Sequence, residues 1–324
     1  MAKRASLDDK LSAVRRLRDQ VPGPELEAEL RKALGDRSNL VVAAAAAIVG
    51  DRMLGELAAA LEAAFLRFMD DPLKTDKLCR AKLAIVEALE KLEHTKPDVF
   101  FQAARHVQLE PVWGGSEDTA VPLRAAGLLA IARIEPDGLL AILVDALADP
   151  KKDVRMAAAQ ALGYHGSEAA NLLLRLKVRL GDPESEVFSE CLSGLLTCSP
   201  KENLPLVAEF LDPDNEVICE AAILALGRSR LSEAFEVLAA CWKRKPARAV
   251  AQTLLLAFAM LRQPAATDFL VELVRTGSEP VALEAIAALK ILAHDPRLVQ
   301  RIEDAVRGRD LPALRAKFDQ DFSS

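Results

Sequence analysis

The sequence predicts an all-α fold. It reads as an α-solenoid, a curved superhelix of about eight to nine stacked antiparallel helix pairs forming one domain over 1–324. Three observations predict it. The first is an apolar phase: a marker residue is followed by apolar residues at +4, +7 and +8, one stripe of a helix. The markers are Val41, Ala81, Leu123, Val154, Phe188, Ile218, Val250 and Val281. The second is equal spacing, since from 123 through 154, 188, 218 and 250 to 281 the steps are 31, 34, 30, 32 and 31 residues. The third is composition, with 51% hydrophobic residues but only 4% aromatic, rich in alanine and without a strand-like stretch. One helix pair cannot bury its own apolar face, so neighbours must stack into a continuous core.

Residues 149–163, DPKKDVRMAAAQALG, are the type repeat. Asp149 is placed to cap a helix and Pro150 to occupy its first position, where no N–H is needed. Val154, Ala158, Ala161 and Leu162 then form the stripe. The pattern V-R-x-x-A-x-x-A-L-G resembles the HEAT repeat family, and the resemblance extends over about residues 24–307. It implies a scaffold or adaptor that binds protein. Fold does not fix function, and some proteins similar to HEAT repeats are enzymes. Deoxyhypusine hydroxylases hold di-iron through His-Glu pairs, and no His-Glu dipeptide occurs here. HEAT-like bilin lyase subunits carry no short motif to test.

Along the chain, residues 6–20 read as an N-terminal capping helix with Leu7, Leu11, Val14 and Leu17 on one face and Lys10, Arg15, Arg16 and Arg18 on the other. The steps from 41 to 81 and from 81 to 123 are longer, each implying an insertion of about ten residues beyond a normal repeat. A long helix over 54–69 accounts for the first. The second is QLEPVWGGSED, an insertion loop at 108–118 in which Pro111, Gly114 and Gly115 break helix. Its Trp113 is either a lid over a helix end or an aromatic anchor for a partner. Ser199 and Glu202 have the spacing of a capping box, and Asp182-Pro183, Asp212-Pro213 and Asp295-Pro296 repeat the Asp-Pro start. Residues 308–318 form a C-terminal capping helix, followed by a frayed tail.

The opening residues lack the apolar run of a secretory signal, and no stretch is long and apolar enough to span a bilayer, so a cytoplasmic protein off the membrane is expected. Five cysteines without a C-x-x-C read as buried thiols, with Cys191, Cys198 and Cys219 the one combination that could be asked to hold a metal. No cofactor is implied: P-loop, dinucleotide and nucleophile-elbow motifs are absent, as are His pairs at metal-ligand spacing. The sequence pI of about 5.5 argues against nucleic acid, leaving the basic stretch 228–248 as the weaker alternative to a protein partner. Residues 182–220 hold ten acids and one base, a net −9, serving either helix starts or a partner with a basic patch. Apolar residues at +2, +5 and +6 lie roughly opposite the stripe and suggest a concave groove for a partner. The candidate contacts are Leu128, Met156, Gln160, Ile223, Leu224, Leu255 and Leu256, together with Trp113.

Overall fold

The positions that the phase assigns to the core are where the spacing puts them. Every follower at +4, +7 and +8 of the eight markers is buried. The computed structural model describes residues 6–212 and 214–322, which are helical nearly throughout, and the chain divides into two compact units between Ala161 and Leu162.

The first unit holds α1 (Leu7–Leu17), α2 (Pro24–Leu34), α3 (Asn39–Asp51), α4 (Ala58–Met69), the single turn α5 (Pro72–Thr75), α6 (Arg80–Lys91) and α7 (Asp98–Arg105). Two short strands follow, β1 (Leu109–Val112) and β2 (Gly115–Asp118), and then α8 (Val121–Ile134), α9 (Leu139–Leu147) and most of α10 (Lys152–His165). Helices α1, α3, α6 and α8 lie side by side in one layer, with α2, α4 and α7 in the other. The second unit continues with α11 (Glu168–Leu180), α12 (Ser185–Cys198), α13 (Pro200–Ala208), α14 (Glu216–Ser229), α15 (Ala234–Lys243), α16 (Arg248–Leu261), α17 (Pro264–Thr276), α18 (Glu279–Leu289), α19 (Pro296–Arg307) and α20 (Pro312–Phe322). Here α12, α14, α16, α18 and α20 form one layer.

The glycine that closes the repeat motif has a packing reason. A Cβ built on Gly227 of α14 would come within 2.7 Å of the Ala257 Cα on α16, and one on Gly50 of α3 within 2.9 Å of the Ala88 Cα on α6. The marked helices touch backbone to backbone at this level, and only glycine leaves room.

Several local expectations are corrected. The long helix over 54–69 is broken, because α3 ends in a Schellman motif with Met53 left-handed (φ 55°) and the Leu54 N–H bonded to the Val49 carbonyl. A 3₁₀ turn at Gly55–Leu57 then leads into α4. No glycine stands at that stop, so the sequence carries no signal for it. Asp149 is an Asx turn ahead of α10, accepting the Lys151 N–H, and the helix starts at Lys152. Ser199 stands at the N-cap of α13 without making the cap bond. The capping box is at the other end of the chain, where Ser6 and Asp9 bond reciprocally at the start of α1. Asp295 does cap α19 as expected. The closing helix begins at Pro312 and runs through the supposed frayed tail to Phe322, anchored by buried Asp321 between Lys290 and Lys317. Met1–Ala5, Pro213 and the last two serines lie outside the described residues.

Candidate functional site

Both insertions of the first unit arrive at one place. The 108–118 segment is not a loop but an antiparallel hairpin, pairing Leu109 with Asp118, Glu110 with Glu117, Pro111 with Ser116 and Val112 with Gly115. Trp113 and Gly114 form its two-residue turn. Gly114 has φ 90°, the positive value that the second central position of a type II turn requires. The Thr119 N–H bonds the Gln108 carbonyl at 2.9 Å, so by alternation the 110–117 and 112–115 pairs are the bonded ones. Pro111 therefore falls at a non-bonded pair, where its missing N–H costs the ladder nothing.

The extra residues of the first long step, expected in the helix over 54–69, lie instead at 70–79, as α5 followed by two consecutive left-handed residues, Leu78 (φ 61°) and Cys79 (φ 51°). Such residues carry strain that only surrounding structure can hold in place. The holding group is Glu110: its Oε1 accepts from the Leu78 N–H (2.5 Å), from Gln108 Nε2 (2.8 Å) and from Thr119 Oγ1 (2.8 Å). Gln108 in turn accepts from buried Lys82 Nζ at 2.9 Å and donates to the Asp76 carbonyl at 2.8 Å. The Asp76 carboxylate takes the N–H groups of Ala81 and Lys82, starting α6, and stands 3.5 Å from Lys82 Nζ.

Beside this cluster Arg124 of α8 pairs with Asp118 at 2.8 Å and Asp149 at 3.2 Å, and donates to the His106 carbonyl at 2.9 Å. Asp76, Lys82, Gln108, Glu110 and Arg124 are all buried. Burying this many polar groups is costly unless they are satisfied, and here most are satisfied by one another, the exception being Arg124 Nε, which stands 3.2 Å from Asp149 without the geometry of a hydrogen bond.

Burial drives the Glu110 and Asp118 carboxyls up. For Glu110 the bonds from Leu78, Thr119 and Gln108 outweigh it. For Asp118 the bond from Arg124 and the N–H groups of Ala120 and Gln108 do so, and both end below the ordinary carboxylate range. Burial holds the His106 imidazole below its usual value, with Lys82 adding to the effect. The Cys79 thiol is pushed up to about 11, chiefly by burial.

What this network presents is apolar and exposed. Trp113 at the hairpin tip is fully exposed at 103%, which rules out the lid. Val107, Leu109 and Val112 of the hairpin segment and Leu73 and Leu78 of the other insertion are also exposed. Sequence reasoning found Trp113 but missed its setting. The one available signal was that both long steps flank the same marked helix.

The remaining sequence-predicted contacts are dispersed. Leu128, Ile223 and Leu255 are core residues, buried to 0–1% exposure, and so cannot line a groove. At these three helices the +5 position is turned into the core rather than to solvent. Met156 and Leu224 are half-buried, while Gln160 and Leu256 are exposed.

On the open side of the second unit the marked helices are laced by polar pairs: Arg228 with Glu190, Thr253 with Glu220, and Arg248 and Gln252 with Glu284. Much of the charge in 182–220 is likewise engaged within the unit, Asp182 by Lys177 and Glu209 by Arg179. In the basic stretch, Arg244 donates to the Leu211 carbonyl. Trp242 packs edge-on against Phe269. Among the described residues no group of three or more His, Cys, Asp or Glu is arranged to hold a metal, and no helix is long and apolar enough to cross a membrane.

Comparison with known families places these repeats. Residues 114–177 match the family model described as HEAT repeats. Over that segment the chain is similar to HEAT repeats. The HEAT match begins inside the hairpin and runs through α8, α9 and α10 into α11. A search by sequence over curated proteins returns no match. Among solved structures, the complex of CpcE and CpcF of phycocyanin lyase from Nostoc sp. PCC7120 is similar at 18% identity, covering 72% of this chain and 91% of that one with a TM-score of 0.39. Human deoxyhypusine hydroxylase in complex with glycerol is similar at 20% identity, covering 79% and 91% with a TM-score of 0.30.

Proposed function

We propose that the chain is a non-catalytic scaffold or adaptor, and that its two insertions form a docking surface for a protein partner. The observation that carries this reading is Trp113: a fully exposed tryptophan on a hairpin whose base is fixed by a buried polar network. A tryptophan exposed without function is a solubility liability, whereas one held out on a rigid support is pre-organised to fill a partner's pocket. The neighbouring exposed leucines and valines extend the contact, and strained Leu78 is turned outward by the bond that Glu110 makes to its N–H. The buried network itself is closed. Its members are engaged with one another, which suits a positioning role better than substrate handling.

The test begins with capture of partners on the immobilised protein. Dissociation constants follow for wild type and Trp113→Ala. Because Trp113 touches little of its own chain, the variant keeps the wild-type melting curve. An anchor at a contact centre supplies 2 kcal/mol or more, about a thirtyfold loss of affinity on truncation. A folded Trp113→Ala protein that binds its partners as wild type does overturns the reading.

A further inference from the structure

The hairpin has two edges and they are not equivalent. By the bonding alternation, Leu109 and Pro111 point their backbone groups outward on β1, and Ser116 and Asp118 do so on β2. Pro111 has no N–H to offer, so the β1 edge is blocked in the way sheet edges are commonly protected. The β2 edge has no such block. Gly115, Ser116 and Glu117 are all exposed, and no described residue forms an ion pair with Glu117. A two-stranded ribbon with one open edge is an incomplete sheet.

We infer that the open edge of β2 accepts an extended, basic segment of a partner protein as a third strand. This rests on the docking reading above and specifies its chemistry. Main-chain bonds to the outward N–H and C=O of Ser116 would supply register, as in other strand additions. Charge complementarity chooses the occupant: unpaired Glu117 lies on the receiving strand, and Trp113 in the turn of the same hairpin offers a ring face over which an arginine guanidinium can stack. Asp118 is already paired with Arg124, so it positions the strand rather than recruiting the ligand.

The experiment uses the full chain and two short synthetic peptides, one alternating arginine with valine and one alternating glutamate with valine. Binding is read from Trp113 emission, with Trp113→Phe as the blank for Trp242. The basic peptide is expected to bind and the acidic one not. Ser116→Pro removes the outward N–H at a non-bonded position, opposite a proline the ladder already tolerates, and should weaken the basic peptide at least about tenfold. Glu117→Lys should reverse the preference. A basic peptide N-methylated at alternate residues, which cannot pair along the edge, gives the same answer without altering the protein and should bind correspondingly weakly.

Equal binding of both peptides, binding of neither, or full binding of the N-methylated peptide overturns the inference. A captured partner that depends on Trp113 but is indifferent to Ser116→Pro overturns the edge while leaving the scaffold reading intact. A partner indifferent to Trp113 overturns both.

Discussion

Glu110 Oε1 accepts the backbone N–H of Leu78 at 2.5 Å across 32 positions of sequence, and this bond joins the two insertions of the first unit. Leu78 is left-handed, and in that conformation its N–H is directed at the hairpin. Removing the carboxylate leaves the Leu78 N–H, the Gln108 amide and the Thr119 hydroxyl without their shared acceptor. Glu110→Ala should therefore destabilise the first unit by about 3–5 kcal/mol, the range for removing one partner from a buried charged network. Hydrogen exchange at the Leu78 amide should quicken more than exchange in α3. Wild-type stability in this variant would mean that the insertions are held by something else.

The same network sets a dependence on pH with two stages. The folded value of His106 lies below its unfolded value near 6.5, because burial disfavours the imidazolium. Unfolded chains then take up the proton first. The contribution is complete above about pH 6.5 and declines as pH falls from there. Glu110 and Asp118 are also depressed, so their contribution is present above the unfolded carboxylate values near 4 and is lost as pH falls through the lower folded ones. Melting temperature should be level around neutrality, sag as pH falls below about 6.5, and drop again below about pH 4. His106→Gln should remove the sag alone. A flat profile down to the acid limb would remove His106 from the account.

Gly227 separates close approach from mere helix propensity. Ordinarily Gly→Ala within a helix is stabilising by up to about 1 kcal/mol. Here the new methyl would meet the Ala257 backbone at 2.7 Å, so Gly227→Ala should destabilise by about 1–3 kcal/mol, the cost of overpacking. Gly55, with nothing within 4 Å of a built Cβ, is the control, and alanine there should be neutral or stabilising. Equal responses at the two sites would show that α14 and α16 can move apart freely.

How far the sequence could be read follows from what each feature depends on. The core stripes were legible because helical period and burial are one signal, and Leu162 is buried to 0% exposure as its phase requires. Helix ends were less so. The stops at Met53 and Glu93 are Schellman motifs built on non-glycine residues, stabilised by backbone bonds that no residue type announces. The hairpin was misread as a loop because each of its strands has four residues, includes a proline or a glycine, and owes its order to Glu110 and Asp118. Those carboxylates find their partners 32 residues back and 6 residues on, at Leu78 and Arg124, distances at which spacing carries no information. Trp113 stood out by composition, but its exposure could be settled only by the fold.

The helical phase separates even adjacent residues. Leu255 and Leu256 are neighbours on α16, and both were assigned to a partner-facing groove by their offsets of +5 and +6. The structure separates them: Leu255 is 1% exposed and Leu256 38%. On a helix, adjacent side chains lie about 100° apart, enough to place one in the seam between marked helices and the other on the open side. Leu256 stands one turn beyond Gln252, which donates to Glu284, so a polar side chain is already accommodated on this side. Leu256→Glu should shift stability by no more than about 1 kcal/mol, within reach of ordinary surface changes. Leu255→Glu forces a carboxylate into apolar packing with no cation to meet it and should unfold the surrounding repeats, a loss above about 4 kcal/mol. Urea denaturation of the two variants decides the matter. If they lose comparable stability, the helix is rotated from the position seen here and the +6 side is core as well. If Leu256→Glu alone is tolerated, the open side of the second unit is available to binding partners and the +5 side is not.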